Sequence, residues 1–283
     1  MSDLPGGLRA IVFDWAGTTV DYGCMAPVEA FTEAFGRHGI EVGEAQVRAP
    51  MGRPKRDHLA LLFSLPTVIE QWSARNGREP GARDIDSLYQ DVERLLDDAA
   101  LRHADPLPGV VDAVEQLRGS GLAIGSCTGY PRRLMGAIAP LVAERGYEPD
   151  ALITPDDVPQ GRPAPYMCYL NAIRLKTYPL DRMVKVGDTV VDVLEGRSAG
   201  MWTVATLLGG SELGLSRAAV AGLSETELAG GFAAARARLV DAGAHYVLRS
   251  IADLPDVVRD IDRRLLDGEH AAVAPPCEQW GKS

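Results

Sequence analysis

The chain has 283 residues, 46% of them apolar and 24% charged, and a net charge of −10 from 29 basic and 39 acidic side chains. That is enough apolar material for one large domain or two smaller ones, with an acidic balance that excludes generic binding to nucleic acid or to an anionic membrane. No apolar stretch approaches the length of a membrane span and no secretory leader pattern opens the sequence, so a cytoplasmic protein is expected, in which any phosphate-like ligand must be held by local positive groups.

Ala10 to Phe13 is a short apolar run that predicts a strand buried on both faces of a parallel sheet. It ends abruptly in Asp14. Gly17 then permits a tight turn, and Thr18 and Thr19 offer hydroxyls. Ligands of open α/β sheets bind beyond the carboxyl ends of the strands, so a carboxylate planted there is placed to hold a cation or to attack an electrophile.

The pattern then turns helical. Val28, Phe31 and Phe35 fall at helix spacing, with a stop near Gly39, and Lys55 to Phe63 reads as a helix begun by Pro54. The longest periodicity is Ile85, Leu88, Tyr89, Val92, Leu95, Leu96 and Ala99, one apolar face of a long helix, preceded by a loop at Gly77, Pro80 and Gly81. Residues 23–103 are therefore expected to form an all-helical cap inserted after the first strand.

From Pro106 onward strands and helices alternate. Strands are predicted at Leu122 to Gly125, Ala151 to Ile153, Met183 to Val186, Met201 to Leu208 and Tyr246 to Leu248. Helices are predicted at Val110 to Leu117, Leu134 to Arg145, Pro165 to Leu175, Val190 to Ala199 and Val257 to Leu266, while residues 212–244 read as helical without assignable chemistry. The fold class that follows is α/β, a doubly wound parallel sheet built from residues 1–22 and 104–268, with the helical insert over its strand ends. Residues 269–283, with Pro275, Pro276 and Cys277, are expected to be a poorly ordered tail.

Later strand ends deliver polar residues to the edge that carries Asp14. One brings Thr128, Gly129 and Tyr130, another Gly187, Asp188 and Thr189, with Asp192 in the first turn of the next helix, and Gly161-Arg162-Pro163 brings a guanidinium between them. Carboxylates converging from separate strands make a hard oxygen site that suits Mg²⁺ better than zinc. Arg162 offers planar paired donors to a phosphoryl group, and Thr128 a hydroxyl to another of its oxygens. A carboxylate, a cation and an arginine around one oxyanion constitute a phosphoryl-transfer site built from positioning and charge.

In order and spacing these residues resemble the haloacid dehalogenase-like superfamily over nearly the whole chain. Within it, Phe13-Asp14-Trp15-Ala16-Gly17-Thr18-Thr19, Met51-Gly52 with Lys55 and His58, Thr128-Gly129-Tyr130, Thr154-Pro155-Asp156-Asp157-Val158 and Gly161-Arg162-Pro163 resemble the phosphonoacetaldehyde hydrolase (phosphonatase) family over about residues 8–265. The resemblance implies that Asp14 is a nucleophile forming a covalent intermediate and that Cys24 and Met51 line the site. It also implies that Gly129 joins Thr128 and Arg162 around the phosphoryl group, and that the protein is a homodimer joined through its caps. Arg53 and Pro54 depart from the family pattern and are expected to be neutral.

Superfamily phosphatases usually carry a second Asp two residues after the nucleophile as general acid. Here that residue is Ala16, which has no proton to give but can offer its carbonyl to the metal. Lys55 supplies an alternative, since its amine can condense with an aldehyde to an iminium ion that lets carbon leave phosphorus as an enamine. The lysine must be neutral to condense, and the first turn of a helix together with desolvation favours that state. His58, three residues on, is a candidate proton shuttle, Tyr130 a supporting residue, and Asp192 a residue that orients the metal shell. A lysine in a first turn is ordinarily a solvated charge; the joint occurrence of Asp14, Lys55, Arg162 and Asp188 argues otherwise.

The activity expected is hydrolysis of the carbon–phosphorus bond of phosphonoacetaldehyde to acetaldehyde and phosphate. One alternative keeps the fold and drops the lysine, giving a Mg²⁺-dependent phosphatase or phosphomutase of a small phosphate ester. A remoter one reads Gly125-Ser126-Cys127-Thr128-Gly129 as a nucleophile elbow, with Cys127 attacking and His245 as base in a metal-free acyl hydrolase.

Overall fold

The computed structural model describes residues 7–274 except 52 and 54. Its centre is β1 (Ala10–Phe13), whose four residues are all buried, as a strand sandwiched between helical layers must be. Parallel to it run β2 (Ala123–Cys127), β3 (Ala151–Ile153), β4 (Met183–Gly187), β5 (Trp202–Thr206) and β6 (Tyr246–Leu248), in the spatial order β3-β2-β1-β4-β5-β6. The chain builds outward from β1 to one side and then returns to build outward on the other, which makes the β1–β4 junction the switch point where such sheets bind ligands. Phe13 lies opposite both Ser126 and Val186, so the residues after β1, β2 and β4 emerge together at one edge.

Between β1 and β2 lie α1 (Met25–Arg37), α2 (Glu44–Arg48), α3 (Lys55–Phe63), α4 (Pro66–Asn76) and α5 (Ala82–Arg102). The stripe of α5 buries Leu88, Val92, Leu95, Leu96 and Ala99, while Ile85 and Tyr89 pack at its margin. Phe35, Phe63 and Trp72 knit α1, α3 and α4, with ring centroids 5.1 Å apart at each step. Helices α2 and α4 carry no strong apolar stripe and were not evident in the sequence; α2 is a single short turn of chain and α4 buries only Val68 and Trp72. Pro54, expected to begin α3, lies outside the described residues. The two crossings between helical insert and sheet run side by side: the Asp21 amide donates to the His103 carbonyl at 3.1 Å and the Leu107 amide to the Thr19 carbonyl at 2.8 Å.

The remaining helices are α6 (Val110–Gly119), α7 (Arg132–Glu144), α8 (Tyr166–Arg174), α9 (Val190–Ala199), α10 (Arg217–Gly222), α11 (Glu225–Asp241) and α12 (Leu254–Leu266). They cover the sheet in the alternation the sequence predicts, with 212–244 resolved into two helices. Strand β2 runs two residues beyond its predicted end, because Ser126 and Cys127 are buried and keep the ladder to β3. At the other end of the chain, Ala271 and Ala274 pack against the core, and the Ala271 carbonyl accepts from Arg197 at 2.7 Å. Residues 275–283 lie outside the described residues. Among the described residues no helix is long and apolar enough to cross a membrane.

Candidate active site

Asp14 sits one residue past β1, buried to 5% exposure, with its amide tied to the Val186 carbonyl at 2.9 Å. The turn after it is closed by the Thr18, Thr19 and Val20 amides, all donating to the Trp15 carbonyl. Gly17 is required here twice over: its φ is +87°, and a Cβ would lie 2.4 Å from an Asp188 carboxylate oxygen. The absence of that methyl lets two carboxylates from neighbouring strands approach.

Asp188, one residue past β4, is fully buried, and accepts from the Thr18 hydroxyl at 2.8 Å and from the Ser211 amide at 2.7 Å. Asp192 opens α9, where its carboxylate caps Thr189 and also accepts from Lys185 Nζ at 2.8 Å. Oxygens of Asp14, Asp188 and Asp192 all lie within 4.8 Å of one another. Burial raises the pKa of Asp14, and burial plus the charges of Asp14 and Asp192 push Asp188 well above the carboxylate range. Burial acts on Asp192 in the same direction, but Arg162 and Lys185 outweigh it and hold its carboxyl at about 2.

Arg162 is the hub. Its Nη2 lies 2.6 Å from Asp14 Oδ1, its Nη1 3.1 Å from Asp192 Oδ1, and its Nε donates to Glu195 Oε2 at 2.9 Å. Four buried carboxylates (Asp14, Asp188, Asp192 and Glu195) thus face two buried cations, Arg162 and Lys185. A divalent ion would supply positive charge to this cluster, and the all-oxygen donor set fits one.

A cavity of about 40 Å³ opens on this edge, lined by Asp14, Ala16, Cys24, Met51, Lys55, Thr128, Gly129, Tyr130 and Arg162, together with Pro27, Arg53 and Thr189. Asp188 and Asp192, both buried, are not part of this lining. The Thr128 hydroxyl oxygen accepts from the Tyr130 amide at 3.1 Å, which leaves its proton available to a ligand.

From the helical side Lys55, the first residue of α3, extends its amine to 5.8 Å from the Tyr130 ring centre and 5.9 Å from that of Phe31. Burial lowers its pKa against the opposing pull of Cys24 and Asp14. Cys24, at φ +52° just before α1, is buried beside it, and burial with Asp21 and Asp188 pushes its thiol well up.

His58 does not reach the cavity. It is fully buried behind Lys55 with its ring stacked on Phe31 at 4.1 Å, and burial lowers its pKa to about 3. The cysteine elbow is not formed either. Cys127 is completely buried in β2, its sulfur 3.3 Å from an Arg162 nitrogen, whereas His245 holds Thr203 and the Ala271 carbonyl at the start of β6. Three strands separate β2 from β6, so these side chains cannot act as nucleophile and base.

Lys185 and Glu195 were not singled out in the sequence. The signal was present: a lone lysine inside the apolar strand Met183-Val184-Lys185-Val186, and a glutamate three residues beyond Asp192 on the same helix face.

A family profile described as haloacid dehalogenase-like hydrolase matches residues 8–200. A phosphonoacetaldehyde hydrolase of Nitratidesulfovibrio vulgaris is 46% identical over 264 residues, spanning 93% of this chain and 94% of that one. One from Bacillus cytotoxicus is 45% identical over 257 residues, spanning 91% and 97%. Among solved structures, a phosphonoacetaldehyde hydrolase-like protein from Oleispira antarctica superposes with a TM-score of 0.90 at 36% identity, covering 94% of this chain and 96% of that one.

Proposed function

This chain belongs to the haloacid dehalogenase-like hydrolases and, within them, to the phosphonoacetaldehyde hydrolases, and from that premise we propose how its own residues cleave a carbon–phosphorus bond. The substrate is phosphonoacetaldehyde, and the products are acetaldehyde and phosphate. The observation that carries the reading is the shared cavity: an amine of lowered pKa from the helices and a carboxylate from the sheet line one small space.

Residues 23–103 act as a cap that closes over a core made of residues 1–22 and 104–268. Neutral Lys55 adds to the aldehyde carbonyl and loses water, and the imine takes up a proton from solvent to give the iminium. Arg162, Thr128 and the Gly129 backbone hold the phosphoryl oxygens while Asp14 attacks phosphorus. The carbon–phosphorus bond breaks as its electron pair moves into the iminium, leaving an enamine on Lys55 and an acyl phosphate on Asp14. Water hydrolyses the acyl phosphate; the enamine takes a proton and the imine hydrolyses to free acetaldehyde and Lys55. No general acid for an alkoxide is needed, in keeping with Ala16 two residues after Asp14. Asp14, Asp188 and the Ala16 carbonyl would hold Mg²⁺, with Asp192 orienting them, and the ion would supply charge neutralisation at the phosphoryl group.

The reading extends to a cytoplasmic homodimer paired through the caps, supported by the buried free thiols of Cys24, Cys127 and Cys168 and by an apolar groove of Ala49, Pro50, Leu61, Leu62 and Leu65. Sedimentation of a monomer at micromolar concentration would remove the dimer. The function itself is tested by incubating the protein with phosphonoacetaldehyde and Mg²⁺, assaying phosphate and acetaldehyde, and reducing with borohydride. Equal release of both products with an adduct on Lys55 is expected, and release undiminished in Lys55→Arg would overturn the imine.

A further inference from the structure

Arg162 must present its guanidinium at one angle, yet it reaches the cavity on a flexible side chain. At the end of the fork Asp192 holds Nη1, while Asp14 and the Cys127 carbonyl, 3.0 Å away, hold Nη2. All of these grip the end of the fork, and one of them, Asp14, is the group that attacks phosphorus. The anchor at Nε is of a different kind. Glu195 is fully buried, one turn beyond Asp192 on α9, and its Oε2 takes the Nε proton at 2.9 Å, behind the fork. The same oxygen lies 3.5 Å from Lys185 Nζ, whose other partner is Asp192, so one lysine ties both acidic anchors to β4. The helix comes this close because residue 196 is glycine: a Cβ there would lie 2.6 Å from Thr203 Cγ2 and 2.8 Å from Lys185 Cβ.

Resting on the reaction derived above, we propose that Glu195 is a positioning residue for phosphoryl transfer, fixing the plane of the Arg162 guanidinium through Nε from a layer that never touches substrate. Removing Glu195 alone leaves Arg162 Nε and Lys185 short of a partner whatever its duty, so a positioning role is identified by a split between turnover and adduct formation and not by stability. Here displacement of the guanidinium by about 1 Å is enough to cost on the order of 10² in rate. Imine formation at Lys55 belongs to the opposite wall of the cavity and does not depend on Glu195.

The test uses the full chain with Mg²⁺ and phosphonoacetaldehyde, comparing Glu195→Gln and Glu195→Leu in the parent and in Arg162→Lys. Glutamine keeps an acceptor oxygen and leucine has none. The expected falls in kcat are about tenfold and about a hundredfold, with KM and the borohydride-trapped Lys55 adduct held within about twofold. In Arg162→Lys the glutamine change should add less than about twofold, because its effect runs through the guanidinium. Parent-like kcat in both variants, adduct and turnover falling together, or full additivity in Arg162→Lys would each overturn the proposal. If the leucine variant does not fold, glutamine and the double-mutant cycle decide by the same criteria. A parent that releases phosphate yet traps no adduct overturns the imine reading instead, and the cycle still decides the role of Glu195.

Discussion

Along the sheet edge, charge is met by charge or by fixed donors. Asp14 faces Arg162, Asp192 faces Lys185 and Arg162, and Asp188 takes a hydroxyl and an amide. At two buried basic groups of the helical insert, whose surface is otherwise rich in ion pairs, the reverse holds. Among the described residues Lys55 has no ion-pair or hydrogen-bond partner, only the faces of Phe31 and Tyr130, and neither nitrogen of His58 makes a well-formed hydrogen bond. Both regions are buried, so burial alone does not set protonation. Arg162 and Lys185 hold Asp192 ionised against burial, whereas the amine and the imidazole of the insert, with few partners, are pushed toward neutrality.

The largest effects should come from separating the two halves chemically. Asp14→Asn is expected to reduce phosphate release on the order of 10⁴-fold or more while the Lys55 adduct still forms. A chelator should likewise stop phosphate release, reversibly on adding Mg²⁺, and leave adduct formation intact. Lys55→Arg should remove both. If Asp14→Asn or the chelator also abolished the adduct, measured by mass spectrometry after borohydride, the two halves would not be independent.

How much of this was legible in the sequence follows the same division. The sheet edge was readable because strand ends are punctuated by Asp14-Trp15-Ala16-Gly17, Thr128-Gly129 and Gly187-Asp188, and parallel register brings such ends together without further information. The inward reach of Lys55 rested on resemblance, because one lysine at a helix start carries no mark of where its amine will point. His58 illustrates the limit. Its spacing to Lys55 was right, but whether the ring turns to the cavity or to Phe31 is decided by how α1 packs on α3, which pairwise spacing does not contain. The Glu195–Lys185 layer escaped for a third reason: a buried charge announces that a partner exists, not which side chain it is.

A smaller effect follows from His58. Its pKa is about 3 folded against an ordinary 6.5, so between those values the unfolded chain binds the extra proton. Stability must therefore fall as pH drops from 6.5 toward 3, by about 2 kcal/mol at pH 5. His58→Phe, which keeps a ring against Phe31, should flatten that part of the profile and raise the urea midpoint at pH 5 more than at pH 7.5. An unchanged difference between the two pH values would mean that the imidazole finds a partner when charged.

The smallest effect is also the most direct probe of the amine. Burial lowers the Lys55 pKa below its ordinary 10.5, so in that window the unfolded chain again holds the extra proton and parent stability rises with pH. Lys55→Met keeps the length and removes the titrating group. The variant, though inactive, should melt higher than the parent at pH 7, by about 2–4 °C for each ~1 kcal/mol recovered, with the gain shrinking as pH approaches 10. Thermal unfolding followed by circular dichroism at the two pH values measures it. A methionine variant that melts lower at pH 7 would show that the lysine is held as a paired cation, and the contrast between a charge-matched sheet and a partner-poor insert would fail at the residue that matters most to it.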